Sequence, residues 1–219
     1  MSRVTHPASK KRRESEPTWD VAYLFPEQGD WSEEEYLALD SNRLVELSDG
    51  NLEVLPVPTE SHHLILAYLY GLLNEFVHAK DLGTVIFAGI RVRLWPGKIR
   101  EPDIIFMMKE NDHRRGEDFW QGADLVMEVV SGDPKDRERD LKKKRREYAR
   151  AGIPEYWIVD PAEEQITVLR LSGKRYVTHG EFRRGSVATS PLLPGFAVDV
   201  DGAWSQKRRT GPNGRKRRN

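Results

Sequence analysis

The sequence predicts one domain of mixed α+β or α/β class, a mixed β-sheet flanked by two main helices. Three observations carry this reading. Short runs rich in β-branched and aromatic residues recur from residue 43 onward. Residues 60–80 show apolar side chains spaced by three and four. One strongly charged segment, PKDRERDLKKKRREYARAG, ends at Gly152 as helices end at a left-handed cap. At 219 residues the chain has the size of one large domain.

Taken in order, RLVELSDGNLEVLPVP reads as a β-hairpin, because two alternating runs flank Ser48-Asp49-Gly50-Asn51, residues that tolerate the positive φ of a tight turn. The helix at 60–80 presents Ile65, Leu66, Leu69, Leu72, Leu73, Phe76 and Val77 on one face, and Thr59 or Ser61 can cap it. Strand-like runs TVIFAGI and RVRLW follow, then a turn at Pro96-Gly97 and the strand EPDIIFMM. Residues 110–123 read as a polar loop. ADLVMEVVS is an apolar strand broken by one acid, and the charged helix follows it. EYWIVD, QITVLRL, a hairpin around Gly173 and FAVDV complete the sheet.

The apolar periodicity lies within residues 18–204, the expected folded domain, whereas 1–17 and 205–219 read as basic disordered tails. A net charge of zero hides this division. Residues 1–17 hold five basic and two acidic groups, and residues 205–219 hold seven basic and none acidic, which leaves 23 basic against 33 acidic groups between them, a net charge of −10. An acidic body with basic arms suits a polyanion gripped through Lys207, Arg208, Arg209, Arg215, Lys216, Arg217 and Arg218; the same composition also serves solubility alone. With no cysteine there is no thiolate nucleophile and no cysteine-ligated zinc. The longest apolar run, HLILAYLYGLL, is shorter than the ~18 residues of a membrane span, and the basic start precedes no apolar signal core. The expectation is a soluble, cytoplasmic protein.

Glu128 is the most informative residue, standing inside Leu125-Val126-Met127-Glu128-Val129-Val130, where both faces look buried. A carboxylate there needs a compensating cation, either a metal or a structural Lys or Arg. Asp103, just after Pro102, can set a second hard oxygen ligand beside it, the donor type that Mg²⁺ or Mn²⁺ takes while keeping waters and a phosphate. In the charged helix Asp140, Lys144 and Tyr148 are spaced by four and share a face. For most of the other charges there, a solvated helix laced with i,i+4 pairs suffices. His62 is a minor candidate on the first long helix. Glu46, inside Leu44-Val45-Glu46-Leu47, repeats the Glu128 argument more weakly, since hairpin strands often keep one wet face. No glycine-rich phosphate loop, His-Glu-x-x-His helix or Gly-x-Ser-x-Gly elbow is present, which argues against nucleotide hydrolases, zincins and serine hydrolases.

The blocks ELSDGNLEVLPVP, HHLILAYL, EPDIIF, ADLVMEVVSGDPKDRERDLKKKRREYARAGIPEYWIVDP and SPLLPGFAVDV, in that order, resemble the Uma-two family of restriction-endonuclease-like proteins, within the PD-(D/E)xK nuclease superfamily. The resemblance spans roughly residues 40–200. It implies a restriction-endonuclease-like fold, Asp103 and Glu128 as metal ligands, and Asp103, Glu128 and Lys144 as the catalytic set. The superfamily pattern places lysine two residues after the acid, where this chain has Val130; the family's Lys-x-x-x-Tyr pattern falls instead on Lys144 and Tyr148, and its recurrent Glu and His on Glu46 and His62. The implied reaction is Mg²⁺-dependent phosphodiester hydrolysis in DNA or RNA. A homodimer would suit cleavage of both strands. The competing reading is a catalytically silent nucleic-acid-binding or accessory protein on the same fold.

Overall fold

The computed structural model describes residues 25–41, 43–87 and 89–205. The expected tails 1–17 and 205–219 therefore fall, apart from Ser205, outside the described residues.

The elements are α1 (Glu33–Leu37), β1 (Val45–Ser48), β2 (Asn51–Val54), α2 (Glu60–Ala79), β3 (Gly83–Phe87), β4 (Val92–Trp95), β5 (Lys98–Arg100), β6 (Ile104–Met108), β7 (Trp120–Gln121), β8 (Leu125–Val129), α3 (Pro134–Glu138), α4 (Lys144–Ala151), β9 (Glu155–Asp160), β10 (Gln165–Ser172), β11 (Arg175–Phe182), β12 (Val187–Thr189), β13 (Ala197–Asp199) and α5 (Val200–Ser205). The expected mixed α+β architecture is present, with its strands divided among three sheets. A six-stranded sheet runs β11-β10-β9-β8-β6-β3, a five-stranded sheet runs β2-β1-β5-β4-β7, and β12 pairs with β13 alone. Strands β8 and β9 are parallel, joined by the α3–α4 crossover, while the other pairs of the six-stranded sheet are antiparallel.

This six-stranded sheet is buried on both sides, which is why its central strands read as nearly continuous apolar runs. Leu125, Met127 and Val129 of β8 join a core with Ile65, Leu69 and Leu73 of α2. Val126 and Val130 join the opposite core with Tyr148 and Ala149 of α4. Alternation along β8 thus turns Glu128 toward the α4 side. A smaller cluster of Tyr36, Val45, Leu47 and Ile99 seats the hairpin.

Local chemistry accounts for the main boundaries. Thr59 caps α2, its hydroxyl accepting from the His62 N–H at 3.2 Å. The β1–β2 turn places Asp49 at φ 51° and Gly50 at φ 78°, the two positive angles of a type I′ hairpin. A side chain at Gly50 would also meet the Gly29 carbonyl at 2.1 Å. Gly152 closes α4 at φ 80°.

Several elements depart from the sequence reading. The charged helix is not continuous: Arg139–Lys143 forms a π turn, with the Lys144 N–H reaching back to the Arg139 carbonyl. Residues 110–123, expected as a loop, contain most of a 3₁₀ helix at Lys109–Arg114 and the two-residue strand β7. β5 is a strand carrying buried Lys98 and Arg100, cations that disguise it in sequence. Short α1 and α5 were also unread. No helix among the described residues is long and apolar enough to cross a membrane.

Candidate active site

β6 and β8 pair antiparallel with Ile104 opposite Met127, so the register extended by one residue sets Asp103 opposite Glu128. Asp103 is anchored there, its Oδ2 accepting the Val129 N–H at 2.7 Å and lying 3.2 Å from His62 Nε2. The capped start of α2 holds His62 in place. Burial works against charge on His62, but the bond to Asp103 and the nearby charges of Asp103 and Glu128 prevail and raise its pKa.

From the other side of β8 the crossover helix delivers Lys144 and Tyr148. Lys144 Nζ donates to Glu128 Oε1 at 2.8 Å, and the Tyr148 hydroxyl donates to the same oxygen at 2.6 Å. Lys144 is only 2% exposed and also meets Asp140 Oδ1 and Glu46 Oε1, each at 3.5 Å. The π turn lies immediately before Lys144, a helical irregularity that recurs at functional sites. Asp140, Lys144 and Tyr148 do share the sheet-facing side, as their spacing requires.

The electrostatics of this cluster are dominated by acid. Burial pushes the Glu128 carboxyl upward and the charges of Asp103, Asp140 and Glu46 push it further, while Lys144 opposes them. Lys144 is itself held protonated: the surrounding carboxylates outweigh its desolvation and raise its pKa. Glu46 required correction. Its strand has no wet face, and its side chain is 0% exposed, shared between Arg100 Nη1 at 2.6 Å and the Glu101 N–H at 3.1 Å. Burial opposes its charge too, but Lys144 and Arg100 lower its pKa.

Three participants escaped the sequence reading. Arg100 binds Glu147 through Nε and Nη2 at 2.8 and 2.9 Å and Glu53 through Nη1 at 2.7 Å. Glu101 is buried with Oε2 unpartnered, and burial together with Glu46 raises it to about 7. Arg139 contacts Asp140 at 3.4 Å. The Arg-Glu-Pro-Asp string at 100–103 was a usable signal for the first two, since consecutive charges before an apolar strand need partners. Lys207, Arg208, Arg209, Arg215, Lys216, Arg217 and Arg218 lie outside the described residues.

Asp103, Glu128, Glu101, Asp140, Lys144 and His62 line one cavity of about 40 Å³. Lys144 and Tyr148 contact Oε1 of Glu128, and Val129 and His62 contact Oδ2 of Asp103, so Glu128 Oε2 and Asp103 Oδ1 stand outside these contacts. Among the described residues no three His, Cys, Asp or Glu side chains form a metal-holding group. The donor set is therefore two hard carboxylates in an acid-rich cavity. That fits Mg²⁺ or Mn²⁺, which bind through one or two carboxylates and retain waters, and does not fit a zinc cage.

The family model Uma2, described as "Putative restriction endonuclease", matches residues 33–201. The chain belongs to the Uma2 family. Among solved structures it resembles a putative nuclease belonging to DUF820 from Anabaena variabilis ATCC 29413, with a TM-score of 0.68 and 17% identity over 80% of this chain and 98% of that one. At that identity the likeness establishes a shared fold. No curated protein matches the chain. The Uma2 match runs from α1 to the start of α5 and includes Asp103, Glu128, Lys144 and Tyr148.

Proposed function

We propose that this Uma2 protein is a Mg²⁺- or Mn²⁺-dependent endonuclease that hydrolyses phosphodiester bonds in DNA, in the cytoplasm. The observation that carries the reading is the convergence of Lys144 and Tyr148 on Glu128 directly across from Asp103. Asp103 and Glu128 would hold the metal, which when bound polarises the scissile phosphate and lowers the pKa of a coordinated water. Lys144 supplies a fixed ammonium for the charge that grows on phosphorus, in a cavity that excludes bulk water. Tyr148 keeps Glu128 oriented through its 2.6 Å bond, and His62 does the same for Asp103. The basic residues at 207–218 add phosphate attraction, and a two-fold dimer would allow both strands to be cut.

A silent binding module is favoured by one observation: Lys144 is already enclosed by three carboxylates. Calorimetric titration of Mn²⁺ into wild type and Glu128→Ala separates the two, run beside cleavage assays on plasmid and single-stranded DNA. Binding and cleavage in wild type, both lost in Glu128→Ala, support the enzyme. Wild type that neither binds metal nor cleaves leaves the silent module.

A further inference from the structure

The site cavity is small, about 40 Å³, so a phosphate would engage Asp103, Glu128 and Lys144 from its mouth and the groups attached to that phosphate would lie outside it. Beside it lies a groove of about 560 Å³, within the ~300–1,000 Å³ typical of small-molecule sites. The two adjoin: Pro56, Pro58, His62, Val129 and Ser131 line both. A strand whose phosphate stands at that mouth would carry an adjoining sugar or base into the groove beside it.

The groove's chemistry selects which part of a DNA strand this is. Its lining is mostly apolar, with Pro56, Pro58, Ile65, Val129, Pro161 and Ala162 beside the hydroxyls of Thr59, Ser61 and Ser131. Of the two basic side chains among its described lining residues, His62 is paired with Asp103 at 3.2 Å and Arg137 is bound through both terminal nitrogens to Asp160 at 2.9 and 2.7 Å. Asp133 is a further lining acid. Among the described residues a second phosphate finds no uncommitted cation in the lining, whereas a neutral planar ring finds apolar side chains.

We infer that this groove binds an unstacked nucleobase of the DNA strand, the base adjoining the phosphate held at Asp103, Glu128 and Lys144. The inference rests on the nuclease reading. A base inside a duplex reaches such a groove only by leaving its stack, so unpaired DNA, which has the least stacking to lose, is the preferred form. Walls without a dense set of hydrogen-bonding groups accept any of the four bases.

The groove can be filled without disturbing the site. Gly132 lines it, a Cβ there meets nothing within 4 Å, and its backbone is outside the left-handed region, so Gly132→Leu should fold; Ala162→Leu fills it from the facing wall. Single-stranded oligonucleotides carrying one 2-aminopurine at successive positions are titrated with wild type and both variants in Ca²⁺, a hard cation that takes the same oxygen ligands as Mg²⁺, with melting temperatures recorded. Their abasic counterparts are assayed for cleavage in Mg²⁺. The expected result is a several-fold fluorescence rise at one position in wild type, absent in both variants. An abasic residue at that position should lower kcat/KM at least ten-fold in wild type and have no effect in Gly132→Leu. No fluorescence rise, or abasic and normal substrates cut equally by wild type, overturns the base pocket while leaving the nuclease standing. Loss of all cleavage with the position-specific rise retained, and abolished by Gly132→Leu, overturns the nuclease and upholds the pocket.

Discussion

Two buried ionic clusters share Glu46, and they are built on opposite principles. Around Arg100, which is 0% exposed, every guanidinium nitrogen meets a carboxylate of Glu46, Glu53 or Glu147, and Lys98 and Lys143 supply further cations to Glu147 and Glu53. The carboxyl of Glu53 is correspondingly depressed to about 2, its burial outweighed by Arg100 and Lys143. Around Lys144 one ammonium faces Glu46, Glu128 and Asp140 with Asp103 close by, and Glu128 is raised. Beside it Glu101 keeps an oxygen unpartnered. The first cluster is closed and satisfied, so its role is to lock the hairpin and β5 to the crossover helix. The second is short of positive charge and opens on a cavity, features that the proposed metal site requires and a structural ion pair does not.

The largest expected effect breaks the closed cluster. Arg100→Ala removes the cation shared by Glu46, Glu53 and Glu147, leaving them only Lys144, Lys143 and Lys98 at the cluster's edge, and should cost about 3–5 kcal/mol, read as the change in unfolding free energy in urea. A change below about 1 kcal/mol would mean that the network is not what locks the hairpin.

Glu53 gives the next effect, through pH. Its folded pKa lies below the ordinary value of 4.5, so its contribution is fully present above that value and is lost as pH falls toward about 2. Relative to Glu53→Gln, wild type should be more stable at pH 7 by on the order of 2 kcal/mol after solvent screening, and the gap should vanish near pH 2. Parallel melting curves at pH 7, 4 and 2.5 test this; a gap that does not shrink with acid denies Glu53 its charged partners.

The same contrast explains what the sequence could show. Glu128 was legible because one acid interrupts an apolar run, and Lys144 and Tyr148 keep their i,i+4 spacing because the π turn ends before Lys144, while Asp140, inside that turn, still meets Lys144 at 3.5 Å. Arg100 and Lys98 were illegible because a cation's partner depends on which strands pair: β5 pairs with β1, about fifty residues earlier. Glu46 was underrated for the same reason, since only the crossover helix and β5 close over its strand. The π turn itself leaves no periodic signal in five residues of which four are charged. Sheet division was likewise hidden, because strand runs carry no statement of which sheet they join.

Within the open cluster, Glu128→Gln should change stability by less than about 1 kcal/mol, since Lys144 keeps Glu46 and Asp140 and the repulsion from Asp103, Asp140 and Glu46 is relieved. DNA cleavage should nevertheless fall below detection. A destabilisation of about 3–5 kcal/mol, with no metal-dependent shift in the wild-type melting temperature, would make Glu128 half of a structural pair and remove the distinction between the clusters.

The smallest effect concerns a lysine two positions away. Lys142 is exposed on the far side of the helix from the sheet and pairs with Glu138 at 3.3 Å in an i,i+4 contact, an interaction type worth about 0.3–0.5 kcal/mol. Lys144 is buried and directed at Glu128. Lys142→Ala should therefore leave melting temperature and cleavage nearly unchanged, whereas Lys144→Ala should abolish cleavage. Both act on the same net charge, so general attraction of DNA would lower the two rates equally. Unequal loss assigns the effect to position. Measuring kcat and KM separately sharpens the outcome: loss confined to kcat in Lys144→Ala marks an interaction made at the transition state, while a rise in KM alone in either variant marks simple phosphate binding.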